Sequence, residues 1–516
     1  MRHGAPCGVG MDLRTLLDVV VSAPSLQRAA ALASSHRIHL TLGVPDAAKA
    51  ATAAALFRAT GRSLLLVVPR PEQAEALAEE LAAWLGEGEP MLLFPDREAL
   101  PYERLAPDLE AVAGRLRVLA RLRHGGPALV VASARALAQR TITPQELAAA
   151  SPVLRPGDLL EPEHFLRSLL AWGYSLEPVV ERPGQAARRG GIVDVFRPTE
   201  QLPLRIELWG NRIESLRRFD PETQRSLGAV PEAELGPARE ALFARPWPSW
   251  ADELDFSPLP PEGQQRFRRE LEELAQSQAS QDDHFWVPFF ARGTLLEHLP
   301  ADALLVVDER PELMAFLREL EGQSLAARSE MEERGELPRG LPLPHQPAAE
   351  VLSALEGADR LLWLSRWASG DEGEAALRLP FAPAQGFGGQ LRRLLTEAMR
   401  ESRRGMRVVI VSQQAPRLSE LLAEQGQPEG VEVVHGSLSG GWRLEEGDAR
   451  LLLLSDREVF GTSKERRPQP RRYLTAQVFL SELSPGDYVV HTDHGIGRFR
   501  GLVRSSLDGV EREYLE

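Results

Sequence analysis

Short apolar runs alternate with helix-spaced apolar positions through the first third of the chain. Residues 38–42 read as a strand, followed by a turn at 43–46 and an alanine-rich helix to about Thr60. Residues 64–68 are apolar throughout, and Leu77, Leu81 and Leu85 recur at helical spacing within a helix over 72–85. Residues 91–94 and 128–132 are further strands. Strands that are apolar at every position, alternating with helices, predict a parallel sheet covered on both faces.

The texture changes near Leu159. Residues 191–197, 204–209 and 212–219 are short strands between Pro-, Glu- or Gly-Asn-containing turns, and Trp209-Gly210-Asn211-Arg212 is a hairpin signal. This reads as a small α+β insert. A charged helix follows over 262–276 and a buried strand over 303–307. The Pro/Gly-rich stretch 338–347 reads as a linker. A second α/β unit is expected after it, with strands at 361–364, 407–412, 431–434 and 451–454. Residues 457–472 are basic and Pro-interrupted, an extended connector, and 486–501 is Gly-punctuated and β-like. The chain stops at Glu516, shortly after a turn at Asp508-Gly509 and in what reads as mid-domain. The predicted organisation is therefore multi-domain α/β. A parallel-sheet domain (1–155 and 231–347) is split by an insert (156–230). An α/β domain (348–459), a basic linker (460–480) and a truncated β-rich domain (481–516) follow.

With 516 residues the chain exceeds one core, and three to five domains are expected. A formal charge of -14 excludes DNA binding by diffuse electrostatics, though not by a local basic surface. Cys7 is the only cysteine, which excludes an internal disulfide and multi-cysteine metal sites and fits a reducing cytoplasm. No apolar run approaches the ~18 residues that span a bilayer, so no membrane association is expected. Residues 1–10 carry no signal-peptide pattern.

Gly43-Val44-Pro45-Asp46-Ala47-Ala48-Lys49-Ala50 has the outline of a phosphate-binding loop between strand and helix. A working loop needs a second Gly before the Lys, to let backbone N–H groups wrap the phosphates, and a hydroxyl after it to hold magnesium. Ala48 and Ala50 stand at those positions, so only Gly43 and Lys49 survive of the pattern. Four apolar residues at 304–307 followed by Asp308 and Glu309 outline the strand end that presents a metal-binding Asp and a water-orienting Glu in helicase-type ATPases. The simpler alternatives are a chance lysine on an alanine-rich helix and a strand ending in solvated acids. Together the two stretches read as one ATPase fold that has lost its chemistry, with no catalytic residue and no cofactor of its own. His491-x-x-His494 with Asp493 has metal-like spacing but no third ligand, so no metal site is expected, and His36 and His39 read as structural.

A decayed motor-like domain split around an α+β insert resembles UvrB, the damage-verifying subunit of nucleotide excision repair. More closely, the chain resembles the bacterial transcription-repair coupling factors. The resemblance rests on Phe94-Pro95-Asp96-Arg97-Glu98-Ala99-Leu100-Pro101-Tyr102-Glu103. It rests also on Ser484-Pro485-Gly486-Asp487-Tyr488-Val489-Val490-His491 through His494-Gly495-Ile496-Gly497-Arg498-Phe499. The last stretch is similar to the start of the Tudor-like RNA-polymerase-interacting domain shared with CarD-type regulators. UvrB itself keeps an intact phosphate loop and a Tyr-rich DNA-clamping hairpin; this chain has neither.

The resemblance implies a scaffold that recruits UvrA and docks on the RNA polymerase β subunit, linking stalled polymerase to excision repair. Arg188-Arg189-Gly190-Gly191 resembles the UvrA-binding stretch, with Arg189 directly before the first Gly. UvrB has a further Arg where Ala187 stands here. Tyr514, Leu515 and Glu516 fall where the family's polymerase-contacting strand begins. In intact family members an ATP- and magnesium-dependent DNA translocase lies C-terminal to these parts, and DNA is bound mainly there. The basic cluster from Lys464 to Arg472 reads as a solvated linker. The alternatives are a nucleotide-dependent UvrB-like helicase relative and a CarD-type DNA-binding regulator.

Overall fold

The computed structural model describes residues 13–461, except 36, 87, 89, 99, 105–107, 244–246, 277–282, 368–374 and 425–429. Beyond that it describes Arg500 and the strands Tyr488–His491, Gly495–Arg498, Leu502–Leu507 and Val510–Leu515. The chain divides into two compact units, Met1–Thr462 and Ser463–Glu516.

The first unit is built on a seven-stranded sheet. Its strand order is Ala375–Arg378, Ile38–Gly43, Arg360–Ser365, Leu304–Asp308, Leu64–Val68, Leu129–Ser133, Met91–Phe94, and every neighbouring pair is parallel. Leu64–Val68, Leu129–Ser133 and Leu304–Asp308 are buried at every position, as strands covered on both faces must be. The helix Lys49–Thr60 has no exposed face in its first two turns, being buried continuously from Lys49 to Phe57. Its alanines pack in the core shared by this sheet and a second one, which leaves no side for water.

The second sheet runs Phe381–Pro383, Trp442–Glu446, Ala449–Ser455, Arg407–Ser412, Val431–His435. One of its faces joins the first sheet's core through Trp442, whose ring stacks on Trp84 at 6.0 Å. The other faces the helices Leu391–Arg403 and Ala415–Glu424.

The insert forms a separate six-stranded sheet, mostly antiparallel, with its own core. Leu204–Trp209 alternates cleanly, with Leu204, Ile206 and Leu208 inward, and the helix Pro162–Ala171 covers that face with Phe165 and Leu169. An aromatic cluster around Phe267, Phe285, Trp286, Phe289 and Phe290 forms a further core.

Two features differ from the sequence pattern. The strand at 361–364, assigned to the later α/β unit, is central in the first sheet, between Ile38–Gly43 and Leu304–Asp308. A local apolar run specifies a buried strand but not which sheet receives it. The Pro/Gly-rich stretch 338–347 is not a loose linker: Leu341, His345 and Gln346 are buried, and Arg339 pairs backbone to backbone with Asp255. Its prolines mark turns in a packed segment.

Glu80, on the helix Pro71–Leu85, is buried where the two sheets' layers meet, and one carboxylate oxygen accepts from the Ser439 backbone N–H at 3.1 Å. Burial pushes this carboxyl up to about 7, against the lowering effect of Ser439 and Trp84. A folded-state value raised above the ordinary 4.5 means that the group's stabilising contribution is complete below 4.5 and is lost as pH rises through about 7. Glu80→Gln is therefore expected to stabilise the chain at pH 8 by about 1 kcal/mol and to change little near pH 5. Melting temperatures at the two pH values check this.

Candidate functional site

The strand Ile38–Gly43 ends in a turn, and a short 3-10 segment, Asp46–Ala48, leads into the helix that begins at Lys49. The strand Leu304–Asp308 lies in the same parallel sheet, so its C-terminal end and the start of the Lys49 helix come to the same edge. There the Lys49 Nζ is 2.6 Å from the Asp46 Oδ1, 2.6 Å from the Asp308 Oδ1 and 2.9 Å from the Glu309 Oε1. Two stretches read separately along the sequence are thus one side-chain cluster.

Arg366 completes it from the loop after Arg360–Ser365. Its Nε lies 2.9 Å from the Asp46 Oδ1, its Nη2 lies 3.0 Å from the Glu312 Oε1, and its backbone N–H donates to the Glu309 Oε1. Glu309 adopts φ 42°, ψ 71°, a left-handed conformation uncommon for a residue with a Cβ. Hydrogen bonds from Lys49 and from the Arg366 backbone hold it there.

Burial works against the charge on Lys49, but Asp308, Asp46 and Glu309 outweigh it and hold the ammonium above its ordinary value. Burial also pushes the Asp308 carboxyl up to about 6, even with Lys49 pulling it down. The cluster sets four carboxylates against two cations. Such a balance disfavours a polyphosphate, because the lysine that would meet it is already taken and acids surround it. Ala48 and Ala50 are buried and carry no hydroxyl. The residues present do not fit a magnesium–nucleotide complex.

On the insert, Gln185–Arg189 and Ile192–Val195 form an antiparallel pair joined through Gly190, whose φ of 61° suits glycine. Alternation turns Ala187 inward, against Val180, Phe196 and Phe219. Phe196 is thus core. Arg189 is partly exposed: its Nη2 reaches the Asp194 Oδ2 at 2.9 Å and the Gln224 Oε1 at 3.3 Å. Asp194 is buried and also receives the Nε and Nη2 of Arg205, at 2.8 and 2.9 Å. Arg188 pairs with Glu163 and approaches the Gly190 carbonyl. The two arginines are consequently held apart, one over Asp194 and one over the Pro162–Ala171 helix.

Of the terminal contact strand, Tyr514 and Leu515 lie in Val510–Leu515, paired antiparallel with Leu502–Leu507. Glu516, Cys7, His36, Asp493, His494 and the Lys464–Arg472 cluster lie outside the described residues. His39 donates from its Nε2 to the Ala358 carbonyl at 3.0 Å, a structural contact. Sequence reasoning missed Arg366 and Glu312, which are remote from Lys49 along the chain and carry no local signal. It missed Asp194 too, although an acid between apolar residues of a strand is a signal that can be read.

Comparison with known proteins matches residues 153–240 to the UvrB interaction domain and residues 483–516 to the CarD-like/TRCF RID domain. The transcription-repair-coupling factor of Myxococcus xanthus is 30% identical over 541 aligned positions, which take in 92% of this chain and 43% of that protein. Those of Bacillus subtilis (strain 168) and Staphylococcus aureus (strain MSSA476) are each 26% identical, with the same shares. The chain therefore spans less than half the length of these relatives.

Proposed function

On the premise that this chain belongs with the transcription-repair coupling factors and matches their N-terminal part, we propose that it is an adaptor between RNA polymerase and excision repair. In this reading the six-stranded insert captures UvrA, and the unit that contains 483–516 engages the polymerase β subunit. Polymerase stalled at a lesion is thereby connected to nucleotide excision repair, and ATP-driven translocation on DNA belongs to the part of the family protein not represented in this sequence. The observation that carries the proposal is the coincidence of the UvrB interaction domain, 153–240, with a sheet that has its own core and presents Arg189 at its surface.

The Lys49 cluster fits the same role. It is a nucleotide loop converted into an internal ion-pair cluster, so the parallel-sheet lobe acts as a rigid frame and not as an ATPase. Nucleotide binding and hydrolysis are not functions of this lobe.

Arg189 provides the test. Asp194 keeps its two-pronged contact with Arg205 when Arg189 is removed, so the fold is expected to survive. Arg189→Ala should alter stability by less than about 1 kcal/mol, as for a half-exposed pair, yet weaken UvrA capture about tenfold or more. Surface plasmon resonance against purified UvrA, with melting curves alongside, reads both. Capture that is unchanged by Arg189→Ala removes the assignment of the site.

A further inference from the structure

The helix Leu391–Arg403 buries Leu394, Leu395, Ala398 and Glu401 against the second sheet. Its opposite side exposes Arg392, Arg393, Thr396, Arg400 and Arg403, and the capping residue Arg404 is exposed as well. At 100° per residue these six positions fall within an arc of about 120° and extend about 18 Å along the axis. Five are arginines. The acids nearby lie at the margin: Glu397 pairs with Arg400, and buried Glu401 receives Arg404 at 3.0 Å and Arg443 at 2.7 Å. Among the described residues, Arg393 and Arg403 make no ion pair.

We infer that this face is a binding surface for the phosphate backbone of duplex DNA. Guanidinium groups fork onto phosphate oxygens, and neutralising phosphates releases counterions, so a stripe of arginines is matched to a polyanion. The exposed side carries no aromatic residue on which an unpaired base could stack, which disfavours a single strand. Its exposed positions also include no aromatic or aliphatic side chain beside the arginines, whereas protein hot spots pair arginine with Trp and Tyr, which disfavours an acidic protein surface. The chain's overall charge of -14 makes the stripe a local feature, repelling nucleic acid elsewhere and orienting whatever duplex it holds. The contact would be insensitive to sequence, because a helix lying on phosphates reads no base edges.

The test is fluorescence anisotropy of the full chain with a labelled 30-base-pair duplex, titrated over a range of salt. Arg393→Ala/Arg403→Ala is expected to weaken binding about tenfold at low salt and to reduce the slope of log K against log salt by about two. Arg393→Lys/Arg403→Lys keeps the charges and is expected to stay within about threefold of the parent. Duplex affinity untouched by the alanine pair, or an equal loss from the control Arg334→Ala, overturns the inference. Tighter binding to single-stranded DNA or to polyglutamate than to duplex overturns it as well.

Discussion

Replacing Glu240 with Ala is expected to destabilise the chain by about 3–5 kcal/mol, because it leaves a fully buried guanidinium without its counter-charge. Arg115 is 0% exposed and Glu240 1%. The Arg115 Nε donates to the Glu240 Oε1 at 2.7 Å, and Thr141 donates its hydroxyl to the same oxygen at 2.8 Å. Arg97 approaches the other oxygen at 3.5 Å. The rest of the Arg115 fork donates to the Pro95 carbonyl and to Gln139, and its plane lies over the Phe94 ring at 4.0 Å. Each donor has a partner, so removing the carboxylate exposes the desolvation penalty that these contacts offset.

Burial alone would raise the Glu240 carboxyl, but Arg115, Arg97 and the Thr141 hydroxyl hold it below its ordinary value. A depressed folded-state value makes the contribution present above about 4.5 and lost as pH falls through the folded value. The defect of Glu240→Ala should therefore be full at pH 7 and shrink only in strong acid. Thermal unfolding is expected to shift by about 10 °C. Arg115→Met/Glu240→Leu, which removes both charges, should recover a large part of that loss. Glu240 is also the last residue of the matched UvrB interaction domain. It ties the domain to the parallel-sheet lobe, so Glu240→Ala should loosen the docking of the insert while its own core persists. A melting temperature within about 2 °C of the parent would contradict this account.

These contacts show where sequence reading stops. Leu64–Val68 and Met91–Phe94 were legible to the residue, because each is an apolar run bounded by turn formers. The insert was legible because Leu204–Trp209 alternates and Gly210-Asn211 turns the chain. Arg360–Ser365 was legible as a strand but not as a member of the first sheet, since pairing across the chain leaves no local trace. Arg115 and Glu240 were invisible for a different reason. A charged residue on a helix or in a loop reads as solvated, and only the fold reveals that the two bury each other. Lys49, Asp308 and Glu309 were legible as separate residues of two motif-like stretches; their distances, and the part taken by Arg366, required the sheet that brings them to one edge.

Lys49→Ala is expected to destabilise the chain by about 3 kcal/mol at pH 8, since it strips the shared cation from Asp308 and Glu309 inside the protein. Asp308 already sits at about 6 with Lys49 beside it, and losing Lys49 raises it further. An acid raised above its unfolded value of 3.8 contributes stability that is complete below 3.8 and is lost as pH rises through the folded value. The variant should thus recover toward the parent near pH 5, where Asp308 takes a proton, and fall away above pH 7. Lys49→Met/Asp308→Asn should be less damaging at pH 8 than Lys49→Ala alone, because one buried charge leaves with the other. Additive losses in the pair would show that Lys49 and Asp308 are not coupled. The same variants read the chemistry. If the lysine is an internal counter-ion and not a phosphate ligand, the chain shows no magnesium-dependent ATP turnover and no ATP-induced rise in melting temperature, and Lys49→Ala changes neither. Turnover that disappears with Lys49 would instead make this cluster a working nucleotide site.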